Sequence, residues 1–165
     1  MTVQAPERTS IVTLGIEKLL TTERRLVEGR RVGLLCNPAS IDGSFRHSAD
    51  LLHDDPGVTL AAIFGPQHGF RADLQDNMIE TPHASDGRRR IPVFSLYSDV
   101  REPSAEMLNG LDALVLDIQD VGTRVYTFSY TVANSLRGAA RHKIQVIVCD
   151  RPNPIGGAEI EGNLL

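Results

Sequence analysis

Leu114-Val115-Leu116-Asp117 and Val146-Ile147-Val148-Cys149-Asp150 are short, unbroken apolar runs that each stop at an aspartate. A run of that length without polar alternation reads as a strand buried on both faces, the signature of a parallel sheet. Past each aspartate the chain turns polar, into Ile118-Gln119-Asp120-Val121-Gly122-Thr123-Arg124-Val125-Tyr126 and Arg151-Pro152-Asn153-Pro154-Ile155-Gly156-Gly157. Ligands of open parallel sheets sit just beyond the carboxyl ends of the strands. Carboxylates, amides and guanidinium groups gathered there point to a ligand rather than to packing.

Five strands are predicted, at 32–37, 58–64, 93–97, 113–117 and 145–150. Helices fit between most of them. A short helix over 15–20 continues through 21–28 and stops at Gly29; another covers 44–53 with Ser44 as its N-cap. A third runs over 104–109, between Ser104 and Gly110. The longest spans 126–142, with Val132, Leu136, Ala139 and Ala140 on its inner stripe. Alternating strands and helices predict an α/β three-layer sandwich with a Rossmann-like, mostly parallel sheet of about five strands. The connection from Gly65 to Arg90 is long and aperiodic, which marks a functional or disordered segment.

Residues 1–13 read as a disordered arm and 14–165 as one Rossmann-like domain. The ending from Ala158 to Leu165 stops in mid-pattern, as if a second, C-terminal domain were absent from this chain. At 165 residues the chain can bury a core without staples, and 41% hydrophobic residues is ordinary for a globular domain. With 17 basic against 21 acidic residues there is no basic patch, so no nucleic-acid partner is expected. Arg88-Arg89-Arg90 reads as a solvated loop after an Asp86-Gly87 turn. Cys36 and Cys149 sit in apolar runs as small buried hydrophobes. No stretch matches a signal peptide or a membrane span, so a cytoplasmic location away from membranes is expected.

Asn37, Gln67, His68, Tyr97, Asp117 and Asp150 all fall at or just after strand ends and should face one edge of the sheet. Each alone is compatible with a turn or a helix cap; together they predict a ligand cleft. In Gly65-Pro66-Gln67-His68-Gly69, glycines that permit close backbone approach bracket an amide and an imidazole. Arg71 and Arg124 suit a carboxylate or phosphate, or a structural ion pair. Asp117 and Asp120 form either an acid/base pair or one ligand-binding carboxylate and one helix cap. The loop Asp150-Arg151-Pro152-Asn153-Pro154 is stiffened by its prolines. Glycine-rich nucleotide motifs, Gly-x-Ser-x-Gly and His-Glu-x-x-His are absent from the sequence.

Several stretches carry a resemblance. They are Asn37-Pro38-Ala39-Ser40, Phe64-Gly65-Pro66-Gln67-His68-Gly69-Phe70-Arg71, Pro92-Val93-Phe94-Ser95-Leu96-Tyr97, Glu106-Met107-Leu108, the run from Asp117 to Thr127, and the run from Asp150 to Gly157. In this order they resemble the DUF1343 family of NamZ-like exo-β-N-acetylmuramidases, from about Gly15 to Leu165. The resemblance implies a Rossmann-like N-terminal part, a C-terminal auxiliary domain as partner, and a site between them. The implied activity is release of terminal N-acetylmuramic acid from peptidoglycan fragments, with no metal or organic cofactor.

Many members resembling this chain carry Glu within the Pro-Glu-His-Gly stretch; here the position is Gln67, which cannot exchange a proton as a carboxylic acid does. The resemblance therefore leaves Asp117, Asp120 and Glu80 as acid/base candidates, alongside Gln67 and His68 in the catalytic set. Asn37, Arg71, Tyr97, Gln119, Arg124, Tyr126, Asp150, Arg151 and Asn153 are the substrate-binding candidates, with Arg71 or Arg124 pairing with a lactyl carboxylate. A non-catalytic muramyl-binding module is the alternative, and a sugar-phosphate or nucleotide enzyme on a similar sheet is a third.

Overall fold

The computed structural model describes residues 12–72 and 82–162. Among these residues six strands form one sheet: β1 Arg31–Cys36, β2 Thr59–Gly65, β3 Ala84–Asp86, β4 Ile91–Ser95, β5 Ala113–Asp117 and β6 Gln145–Val148, in the order β3-β4-β2-β1-β5-β6. All pairings are parallel except β3 with β4. The three-layer, mostly parallel architecture expected from the apolar runs is therefore present. The added strand, β3, has the sequence Ala-Ser-Asp, which carries no hydrophobic pattern. It exists by pairing with the edge of β4, a tertiary effect that local sequence does not announce.

The helices are α1 Gly15–Leu20, α2 Ser48–Asp54, α3 Ala105–Leu108 and α4 Phe128–Arg141. Alternate residues of the central strands point to opposite faces and make two cores. On one face Val32, Leu34, Ile63 and Val115 meet Ile16 and Leu19 of α1 and Leu52 of α2. On the other, Leu35, Phe64, Leu114 and Leu116 meet Met107 and Leu108 of α3, with Val132 of α4 packed alongside. β1 and β5 are buried almost end to end because both faces are covered.

Three helix expectations are corrected. The segment after α1 turns into a single 3₁₀ turn at Arg24–Leu26 instead of continuing as α-helix. α2 begins three residues later than the Ser44 cap implied. Asp42 Oδ1 accepts the N–H groups of Ser44 and Arg46 at 2.9 and 2.8 Å, which ties that stretch into a turn. The cap is His47, whose Nδ1 accepts the Ala49 N–H at 3.1 Å. α4 buries Thr131, Ser135, Gly138 and Ala139, while Leu136 is 42% exposed and Ala140 is exposed. Small residues let α4 lie close: a Cβ at Gly138 would come 2.8 Å from the Pro103 carbonyl oxygen. Arg89 is the other correction, being buried between Asp86 and Asp50 rather than solvated.

The strand order reverses between β1 and β5. The chain leaves β1 toward β2 and β4, then returns to β5 on the other side of β1. α2 follows β1 on one face while α4 follows β5 on the other, so the loops diverge and a crevice opens over the carboxyl ends. Residues 1–11, most of the expected N-terminal arm, lie outside the described residues, and so does Glu80.

Candidate functional site

At the strand reversal, Asp117 ends β5 opposite Cys36, and Asn37 follows directly on the end of β1. Asn37 is buried, and its Oδ1 accepts the Ala39 N–H at 3.0 Å, closing an Asx turn. Ser40 accepts the Asn37 N–H at 2.9 Å on its Oγ, and that hydroxyl donates to the Asp117 carbonyl oxygen. Asp117 is fully buried and both its oxygens are occupied. Arg151 donates Nε–H to Oδ1 at 2.6 Å and Nη2–H to Oδ2 at 2.8 Å, and the Ser48 hydroxyl donates to Oδ2. The Arg151 side chain is only 5% exposed, and its bonds to Asp117 pin the loop after β6 to the end of β5.

Buried thiols flank this cluster. Burial first, and then the negative charge of Asp117, push the Cys36 thiol far up and the Cys149 thiol up to about 12. Neither is a thiolate nucleophile near neutral pH.

Asp120 takes the helix-cap role. Its Oδ1 accepts the Gly122 N–H at 2.7 Å and its Oδ2 the Ser129 N–H at 3.0 Å, in the first turn of α4. Gln119 spans the two loops, donating from Nε2 to the carbonyls of Asp120 at 2.6 Å and Pro152 at 3.2 Å. The loops touch again at Gly122, with φ +71°, where a Cβ would meet Asn153 Nδ2 at 2.8 Å. Asp150 is exposed, and its Oδ1 accepts the Arg151 N–H at 3.0 Å. Gln119, Asp120, Asp150, Arg151 and Asn153 line one hollow of about 270 Å³.

A second hollow, of about 280 Å³, lies between the loops after β2 and β5. Gln67, His68, Val125, Tyr126, Thr127 and Phe128 line it. The β2 loop turns tightly enough to reach over the sheet because Gly65 has no side chain: a Cβ there would come 2.9 Å from the Phe70 nitrogen. Thr127 Oγ1 donates to Gln67 Oε1 at 3.0 Å and joins the two walls. His68 is half-buried with φ +69°. The Tyr126 ring is 40% exposed and stands edge-on to Phe128, with centroids 5.3 Å apart. An amide, an imidazole and a phenol ring around a cavity of this size suit a polyhydroxylated ring with one polar and one apolar face.

A third hollow, of about 300 Å³, is lined by Pro38, His47, Asp50, Phe70, Arg71 and Arg89. Tyr97 and Arg124 line none of the three; the Arg101 guanidinium covers the Tyr97 ring at 3.7 Å, and Arg124 is exposed. The strand-end candidates thus share the carboxyl edge, but they split into a committed polar floor and separate hollows. Thr127, Ser40, Ser48 and His47 were not singled out by sequence. Their signal was faint: each lies inside, or just before, a loop-to-helix transition, where polar side chains bond to backbone. Among the described residues no three His, Cys, Asp or Glu side chains gather as a metal site, and no helix is long and apolar enough to cross a membrane.

Fold and edge together define a Rossmann-like domain with a polar cleft over its strand reversal. The chain belongs to the family described as the N-terminal part of exo-β-N-acetylmuramidase NamZ, which it matches over residues 32–165. It is 44% identical over 154 residues to the peptidoglycan β-N-acetylmuramidase NamZ of Bacillus subtilis (strain 168). That alignment covers 93% of this chain and 37% of the relative. Two crystal structures of DUF1343 family proteins from Bacteroides fragilis NCTC 9343 are similar. One has a TM-score of 0.81 and 43% identity, covering 92% of this chain and 37% of that one. The other has a TM-score of 0.70 and 28% identity, covering 88% and 36%. The chain therefore spans little more than a third of the length of these relatives.

Proposed function

We propose that this protein is a glycoside hydrolase that releases terminal N-acetylmuramic acid from peptidoglycan fragments during cell-wall turnover. The observation that carries the reading is the hollow in which Gln67 and His68 meet Tyr126 and Thr127, in a chain whose relative bears the muramidase name. Hydrolysis of a glycoside needs a proton for the leaving oxygen and a second group that attacks or activates water. Gln67, oriented by Thr127, serves to hold a hydroxyl or the acetamido group. His68 is placed to pass a proton. Asp117 and Asp120 already hold loops, so Glu80 comes first among the acid/base candidates. An auxiliary domain, implied by the greater length of the relatives, completes the cleft.

The test is hydrolysis of a chromogenic muramyl glycoside by the intact protein. Wild type is expected to turn over, and Glu80→Gln to lose about 10²–10⁴-fold. A binding module is the second reading, favoured by the amide at Gln67 and by the engagement of both edge carboxylates. Turnover that appears only in Gln67→Glu would establish the module. No turnover in either protein, with sugar binding intact, would establish it as well.

A further inference from the structure

The loop after β2 faces two ways. Gln67 and His68 line the hollow toward β5, whereas Phe70 and Arg71 line the one beside α2. The turn is tight: the Gly69 N–H donates to the Pro66 carbonyl at 2.9 Å, and positive φ angles at His68, Gly69 and Ala72 fold it back. Three residues span at most about 10 Å, the scale of one substituted sugar ring.

The hollow beside α2 is cationic. Asp50 lines it, and Arg71, Arg88 and Arg89 are shared between Asp50 and the buried Asp86. Asp86 is filled, taking the N–H groups of Arg88 and Arg89 at 2.9 and 3.2 Å and the Arg89 guanidinium. Asp50 takes Arg88 at 2.9 Å and Arg89. Among the described residues, three guanidiniums share two carboxylates, which leaves one positive charge in excess. Arg71 is where that excess is available: among the described residues its carboxylate partner is Asp86 at 3.8 Å, its side chain is 58% exposed, and it stacks over the Phe70 ring at 5.1 Å. Behind it, the Arg89 side chain is 5% exposed, and its buried Nε–H has no hydrogen-bond partner among the described residues. A buried donor left unpaired is costly unless something else comes to it. Both ring nitrogens of His47 are engaged: Nδ1 accepts from Ala49, and Nε2 lies 3.0 Å from the Asn37 carbonyl oxygen.

We propose that the hollow lined by Phe70, Arg71 and Arg89 is a carboxylate subsite, which reads the acidic substituent of an amino sugar whose ring sits at Gln67 and His68. This rests on the muramyl-sugar reading and assigns the recognition to Arg71 rather than Arg124. Arg71 supplies a planar fork for the carboxylate, Phe70 and Pro38 supply apolar walls for the carbon stem, and Arg89 holds the field positive from below. An amino sugar without the acid fills the ring site and leaves this hollow empty.

The experiment is titration calorimetry of the intact protein with N-acetylmuramic acid and with N-acetylglucosamine, which lacks the lactyl ether. Wild type should prefer the acid by about 10- to 100-fold, the worth of a charged hydrogen bond. Arg71→Met should abolish that preference while leaving N-acetylglucosamine affinity unchanged, and Arg71→Lys should restore part of it. Arg71 is used because its side chain is exposed, whereas a change at buried Arg89 risks the fold. No binding of N-acetylmuramic acid, no preference in wild type, a preference that survives Arg71→Met, or loss in Arg124→Met instead would each overturn the assignment. Turnover of the chromogenic glycoside with no preference would overturn the subsite alone and leave the hydrolase reading standing.

Discussion

The two sides of the strand reversal use the same residue types in opposite ways. On the β5–β6 side, Asp117, Ser40, Ser48 and Arg151 are buried or nearly so and bonded to one another. On the β2 side, Gln67, His68 and Arg71 are half-buried or exposed, and Gln67 meets one hydroxyl across the hollow. Burial with full partnering makes a carboxylate an anchor, because moving it would strand a charge in a low-dielectric interior. Partial exposure leaves capacity for a ligand. One edge of the sheet is thus split into a floor that holds the loops and a wall that can recognise.

The largest test of that division is Asp117→Asn. Removing one partner of a buried ion pair costs about 3–5 kcal/mol, so the urea midpoint should fall steeply, and Arg151→Met should fall with it. If Asp117→Asn keeps the midpoint and loses turnover, Asp117 belongs to the chemistry and the division fails. Asp120→Ala should cost about 1 kcal/mol, the worth of a cap, while Asp120→Asn keeps an oxygen for the Ser129 N–H and recovers most of it. Loss of turnover in Asp120→Asn at unchanged stability would move Asp120 to the recognising side. Thr127→Val should leave the midpoint unchanged and weaken muramyl-sugar binding by about 2- to 10-fold, since it removes one neutral hydrogen bond to Gln67. Calorimetry beside a urea melt separates those two effects.

What was legible in the sequence follows the same physics. Ala113–Asp117 could be read to the residue because a strand covered on both faces must be apolar throughout. β3 could not, since Ala-Ser-Asp has no pattern and is a strand only beside β4. The inner face of α4 is legible only in part: Val132 and Ala139 pack inward, but Thr131, Ser135 and Gly138 are buried for being small, while Leu136 and Ala140 face out. At the site, spacing placed the candidates on one edge, since strand ends must gather there. It could not tell which carboxylate would be consumed: that depended on Arg151 arriving from a loop 34 residues away in the chain. Arg89 looked like one of three solvated arginines until Asp86 and Asp50 came to flank it.

The smallest expected effect is on acid stability, and it probes the floor beneath the recognising wall. Burial alone would raise the Asp86 carboxyl, but the Arg89 N–H, the Arg89 guanidinium and the Arg88 N–H outweigh it and hold it below the usual carboxylate range. A carboxyl lowered in the folded state contributes stability above its unfolded value, about 3.9. That contribution is lost as the pH falls through the unfolded value toward the lower folded one. Urea midpoints measured from pH 6 down to pH 2 should therefore decline, and Asp86→Asn should start lower and decline less. Arg71→Met should follow the wild-type slope closely, because Arg71 touches Asp86 only at 3.8 Å from an exposed position. If instead Arg71→Met flattens the slope as much as Asp86→Asn, Arg71 is committed to Asp86 as firmly as Arg151 is to Asp117. The wall would then be floor, with no cation to spare for a ligand.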